Sequence, residues 1–211
     1  MNRKMPVYLL LDTSGSMTGD PIEALKAGVQ QLLDDVMDDP RFVEEGHVSV
    51  ITFNETAQQL VPLTPVTSFQ LPAFQAGGRT ALGAGLQLLE QCIDAEVSKS
   101  TATTKGDCKP LVFLMTDGLP TDEWAAAAQQ LRAKKLGRIV ACAAGAGADT
   151  SLLAEITGEV FHLNTSHPEA FKQFFQWVSS SIKMASQSIG AVSGNLPQLP
   201  GVMQPGSRTL V

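Results

Sequence analysis

A chain of 211 residues, 44% hydrophobic and 17% charged, is long enough for one α/β domain with a full core and too short for two comfortable ones. Its formal net charge of -6 argues against nucleic acid as the main partner, because phosphate recognition needs a basic surface and no run of Lys and Arg supplies one. No apolar segment approaches a membrane span, and strand signals follow Met1–Pro6 at once without room for a signal peptide, so a cytoplasmic protein without membrane partners is expected.

Val7–Leu11 is a continuous apolar run, the pattern of a central parallel strand buried on both faces. Asp20-Pro21-Ile22-Glu23 predicts a helix start, with Asp20 as the cap, Pro21 in the first helical position and Glu23 closing a capping box. The helix should run to about Met37, with Leu25, Val29, Leu32, Leu33 and Val36 at core spacing. His47–Phe53 reads as a second strand. Gln58–Leu63 reads as a short antiparallel partner at the sheet edge, where Pro62 and Pro65 lose nothing by lacking an N–H. Residues 64–79 form a loop ending in Gly77-Gly78-Arg79-Thr80, and a helix from Ala81 to about Val97 follows. The polar connection Ser98–Lys109 is of the kind that crosses a surface.

Leu111–Met115 predicts the next central strand. The helix Glu123–Leu136 opens on acids and closes on Lys134 and Lys135 ahead of Gly137, in keeping with the macrodipole and a glycine cap. Arg138–Ala144 and Glu159–Leu163 read as strands on either side of a short helix, Thr150–Ile156. Ser166-His167-Pro168-Glu169 opens a last helix, whose Phe171, Phe174, Phe175, Val178 and Ile182 form an apolar stripe expected to be core. From about Gln187 the composition shifts to Ser, Gly, Pro and Gln. Residues 1–186 are therefore expected to be the domain and 187–211 a tail without its own core, with Leu196-Pro197 and Leu199-Pro200 as docking segments. The alternation of strands and helices predicts a Rossmann-like three-layer α/β fold. Its central sheet should be mostly parallel with one short antiparallel edge strand, and helices should cover both faces.

Among the reactive side chains, Cys92 and Cys142 read as reduced core residues and Cys108 as the exposed thiol. His47, His162 and His167 fit solvated or structural roles, and Trp124 and Trp177 fit packing.

Chemistry concentrates in three stretches: Asp12-Thr13-Ser14-Gly15-Ser16, Thr80, and Thr116-Asp117-Gly118. Each lies where a buried strand gives way to a loop or a loop to a helix, and in open α/β sheets those positions gather at the edge where ligands bind. Ser14 and Ser16, two apart around Gly15, can aim both hydroxyls at one point. Thr80 adds a third hydroxyl, and Asp12 and Asp117 add two carboxylates from adjacent strand ends. Such an oxygen-only set suits a hard dication, Mg2+ first and Mn2+ as the alternative, because these ions take about six oxygens. Two carboxylates only neutralise the ion, which leaves it receptive to an Asp or Glu from another protein.

These residues resemble the metal ion-dependent adhesion site of von Willebrand factor A domains, where Asp-x-Ser-x-Ser, a distant Thr and a distant Asp hold the ion. Asp12, Ser14, Ser16, Thr80 and Asp117 match that pattern in order and context, and the resemblance covers about residues 5–186. The stretches PVYLLLDTSGSM, VSVITF, PLVFLMTDGLPTD and VACAAG are more narrowly similar to bacterial TerY-type proteins associated with tellurium resistance. That likeness implies a signalling complex with a protein kinase and a PP2C-like phosphatase. Arg79 beside Thr80, Met17 after Ser16 and Leu119 after Gly118 are expected to contact the partner, with Arg79 steering its acid.

Enzyme readings fare worse. A magnesium phosphohydrolase of the Asp-x-Asp type lacks its acid–base partner, since Ser14 stands at the third position. The Gly-x-Ser-x-Gly elbow and the phosphate-binding Gly-Lys-Ser/Thr turn are both missing. A metal-independent scaffold with a vestigial site is the other alternative.

Overall fold

The computed structural model describes residues 3–134, 136–145, 149–163, 169–187 and the backbone of 203–205. Strand β1 (Met5–Asp12) is buried along its whole length, as its apolar run requires. It pairs in parallel with β2 (Gly46–Phe53) on one side and β4 (Leu111–Thr116) on the other. Beyond β2 lies the antiparallel edge strand β3 (Ala57–Pro65). Beyond β4 lie the parallel strands β5 (Arg138–Ala144) and β6 (Val160–Leu163). A short β7 (Met203–Pro205), inside the stretch read as a tail, pairs antiparallel with β6 and gives the sheet a second antiparallel edge. The sheet order is β3-β2-β1-β4-β5-β6-β7.

That order reverses direction at β1 and β4. Connections leaving β1 run towards β2, and those leaving β4 run towards β5, so a crevice opens between the carboxyl ends of these two strands. Asp12 closes β1, and Asp117 directly follows β4.

Helices cover both faces, as the alternating sequence pattern predicts. Helices α1 (Asp20–Val36) and α6 (Ala170–Gln187) pack against the face that receives Val7, Leu9 and Leu11, together with Phe42 of the short α2 (Pro40–Glu45). Helices α3 (Leu82–Glu96), α4 (Ala125–Ala133) and α5 (Thr150–Ala154) cover the face that receives Tyr8 and Leu10. The α6 stripe of Phe171, Phe174, Phe175, Val178 and Ile182 is buried core, and each such side chain contributes roughly 1.5–3 kcal/mol on removal from water. No helix among the described residues is long and apolar enough to cross a membrane.

Several boundaries differ from the sequence reading, each for a local reason. Gly19, at φ 88°, is the residue preceding α1, so Asp20 is the first helical residue and not the cap. Glu23 does not close a capping box; its carboxylate pairs with Lys26. Helix α2 was not expected: six residues are too few for a periodic signal, but Asp39 caps it by accepting from Arg41 N and Phe42 N. Helix α4 stops at Ala133, before the lysines, so Gly137 is not its cap. Pro168 and its neighbours, and the two Leu-Pro pairs, lie outside the described residues.

Candidate metal centre

The end of β1 folds back on itself because Asp12 holds the turn. Its Oδ1 accepts from Ser14 N at 2.8 Å, and a single 3-10 turn over Gly15–Met17 follows, closed by Met17 N donating to Ser14 O at 3.1 Å. This geometry puts the Ser14 and Ser16 hydroxyls 3.0 Å apart. Ser16 then donates to Asp117 Oδ1 at 2.7 Å, across 101 residues of sequence. The other Asp12 oxygen accepts from Thr116 Oγ1 at 2.5 Å. Asp12 and Ser14 are fully buried while Ser16 is exposed, so the cluster grades from core to solvent.

Thr80 arrives on a third loop. Its Oγ1 and the Ser16 hydroxyl both border the open side of Gly118, 3.4 Å and 3.7 Å from the point a Cβ would occupy there. The loop is tied to the β1 turn by Gly15 N donating to Gly78 O at 3.0 Å and Gly77 N donating to Thr13 O at 2.9 Å. Gly15 eases that approach, since a Cβ there would begin 3.2 Å from Gly78 O, closer than an ordinary contact. All five sequence-selected oxygen donors therefore reach one crevice.

Burial, and secondarily the Asp117 charge, raise the Asp12 carboxyl above its ordinary pKa against the lowering hydrogen bonds from Ser14 and Thr116. Burial likewise raises Asp117. Two carboxylates and three hydroxyls form an oxygen-only donor set that fits a hard dication. Among the described residues, no three His, Cys, Asp or Glu side chains gather as an alternative metal cluster.

The three residues selected for partner contact separate. Arg79 is exposed, and Leu119 is 58% exposed on the loop after Asp117. Met17 is fully buried in the core beneath the 3-10 turn, so its side chain offers no surface to a partner; the sequence reading is corrected there. The turn rotates the residue after Ser16 inward, which a loop reading of the motif could not anticipate.

Other reactive groups stay away from the crevice. His47 Nδ1 meets Glu45 O and His162 Nε2 meets Gly145 O, both at 2.9 Å, while His167 lies outside the described residues. Cys92 and Cys142 are buried, and burial pushes the Cys92 thiol up to about 11. Cys108, expected to be exposed, is half-buried, and burial raises its pKa too.

Three comparisons extend this geometry. The model of the von Willebrand factor type A domain matches residues 7–177. The uncharacterized protein sll0103 of Synechocystis is 32% identical over 124 residues, 56% of this chain and 26% of that protein. Among solved structures, proximal thread matrix protein 1 from the mussel byssus, with a zinc-occupied MIDAS motif, is 19% identical with a TM-score of 0.59, covering 87% of this chain and 46% of that one. The von Willebrand factor type A structure from Catenulispora acidiphila is 18% identical at a TM-score of 0.63, covering 87% of this chain and 44% of that one. The pilus adhesin SpaC of Lactobacillus rhamnosus GG is 16% identical at a TM-score of 0.68, covering 88% and 31%. The structural likenesses show the fold, and the chain spans about a quarter of the curated relative and less than half of these solved chains.

Proposed function

The chain belongs to the von Willebrand factor type A domain family, whose members bind a divalent metal and mediate protein–protein interactions, and from that premise we propose a metal-bridged binding module. In this reading Asp12, Ser14, Ser16, Thr80 and Asp117 hold Mg2+, or Mn2+ in its place, and an Asp or Glu of a protein partner completes the ion's coordination. The observation that carries it is the joining of strand-end carboxylates and turn hydroxyls into one hydrogen-bonded cluster. The bound ion supplies Lewis acidity towards an outside carboxylate. The protein's part is to fix the donors beforehand. Asp12 is held by Ser14 N and Thr116, Ser16 stands at the solvent side, and exposed Arg79 and Leu119 border the approach.

The finer context is part of the same proposal and rests on the resemblance of four stretches to TerY-type proteins. The partners are a protein kinase and a PP2C-like phosphatase of a cytoplasmic bacterial tellurite-resistance complex, and the chain itself is no enzyme. Calorimetric titration with Mg2+ and Mn2+ tests the ion, with Asp12→Ala as the control. Retention of partners from a bacterial lysate in magnesium, and their release by chelator, tests the bridge. Binding that survives chelation unchanged would instead favour a scaffold, and phosphoester turnover abolished by Asp12→Ala would favour an enzyme.

A further inference from the structure

Thr80 reaches the crevice on a loop that has no strand to anchor it; besides the ties of Gly77 and Gly78 to the β1 turn and of Ala81 N to Asn54 O, two residues in the loop after β4 hold it. Thr121 N donates to Thr80 O at 2.9 Å, and Thr80 N donates back to Thr121 Oγ1 at 3.3 Å. Next to it, the Asp122 carboxylate spans the first turn of α3, accepting from Gly83 N at 3.0 Å and Ala84 N at 2.9 Å. Helix α3 has no cap of its own, because Ala81 stands at the capping position without a side-chain acceptor. The approach depends on Gly83, where a Cβ would begin 2.4 Å from Glu123 O and 3.0 Å from Asp122 Oδ2.

We propose that Thr121 and Asp122 are positioning residues for the cation site: they lock the Thr80 loop to the Asp117 loop, so that the Thr80 hydroxyl is delivered beside Ser16. This rests on the reading of Thr80 as a metal ligand. Thr121 and Asp122 follow Asp117 by four and five residues, so one short loop sets the place of both Asp117 and Thr80. Neither positioning residue is among the five oxygen donors; their influence runs through the main chain of Thr80 and of the helix turn that follows it. Groups that orient metal ligands in this way commonly alter affinity by about 10- to 100-fold when removed.

The test is a calorimetric double-mutant cycle with Mn2+ on the full chain, using wild type, Asp12→Ala, Thr80→Ala, Asp122→Ala and the Thr80→Ala/Asp122→Ala pair. Amide exchange at Gly83 and Ala84 is read alongside. Asp122→Ala is expected to weaken binding by about tenfold and to speed exchange at those two amides. In the Thr80→Ala background it should cause no further loss, and Asp122→Asn, which keeps one acceptor oxygen, should fall in between. The inference is overturned if exchange speeds up while affinity stays at the wild-type value. It is equally overturned if Asp122→Ala weakens binding as much without the Thr80 hydroxyl as with it, which would mean a general loosening of the fold. Should Asp122→Ala fail to fold, Thr121→Val, which deletes the acceptor for Thr80 N, carries the same affinity cycle, with faster exchange expected at the Thr80 amide instead. Identical titrations for wild type and Asp12→Ala would instead refute the metal reading itself.

Discussion

Two polar clusters flank strand β1, and they use the same chemistry to opposite ends. Near its start, Tyr8 donates to Glu96 Oε2 at 2.9 Å, Gln59 Nε2 donates to both Glu96 oxygens at 3.0 and 3.2 Å, and Leu63 N donates to Oε1 at 3.1 Å. Every one of those donors is neutral and supplied by the fold, so the carboxylate's hydrogen bonds are met within the protein. At the far end, Asp12 accepts from Thr116 and Asp117 from Ser16, hydroxyls that can serve as acceptors as readily as donors, and burial raises both acids. Under the proposed function the contrast separates structural from functional carboxylates: the first is complete within the protein, and the second would be completed by a cation.

Asp12→Ala makes the largest break in that contrast. Divalent affinity should drop by more than about 100-fold, beyond the loss from an outer partner of a ligand, while circular dichroism shows the fold retained. Glu96→Ala should do the reverse. It leaves Tyr8 OH and Leu63 N, whose bonds to Glu96 are part-buried, without acceptors and should lower unfolding stability in urea by about 2 kcal/mol, with ion affinity unchanged.

Smaller and opposite in sign is Asp12→Asn in chelator. Because the folded pKa of Asp12 is raised, its favourable contribution is present below the unfolded pKa and is lost as pH rises through the folded one. Asparagine should therefore stabilise the metal-free protein at neutral pH by on the order of 1 kcal/mol, an advantage that shrinks on acidification, whereas Glu96→Gln should destabilise it. A denaturation series in pH that gave both substitutions the same sign would erase the distinction drawn between the clusters. The smallest effect belongs to Arg79→Glu: association with an acidic partner should slow a few-fold at low salt, and the difference should fade as salt is added.

How much of this was legible follows from what each feature depends on. The five oxygen donors stand out because strand-end position and residue type are both written locally, in Asp12-Thr13-Ser14-Gly15-Ser16 and in Thr116-Asp117-Gly118. The alternating strands and helices, and the α6 stripe, come from periodicity and are equally local. The Glu96 cluster left no such trace. Glu96 looks like an ordinary solvated residue at a helix end until Tyr8, Gln59 and Leu63 converge on it from two strands. Asp122 is hidden for the same reason: the amides it caps lie 38 and 39 residues away. Met17 was misjudged because the inward rotation of a 3-10 turn is a property of the backbone, not of the motif's composition.

Helix α3 is held at both extremities, by Asp122 over its opening turn and by Glu96 with Lys4 Nζ on the Glu96 carbonyl at its close. Its 15 residues thus act as a strut of about 22 Å between the two clusters. Deleting one residue would shorten it by about 1.5 Å and swing one end through roughly 100°, pulling either Thr80's neighbours or the Tyr8 partner out of place. The length of that helix is consequently as constrained as any oxygen in the crevice, although none of its own side chains is among the five donors.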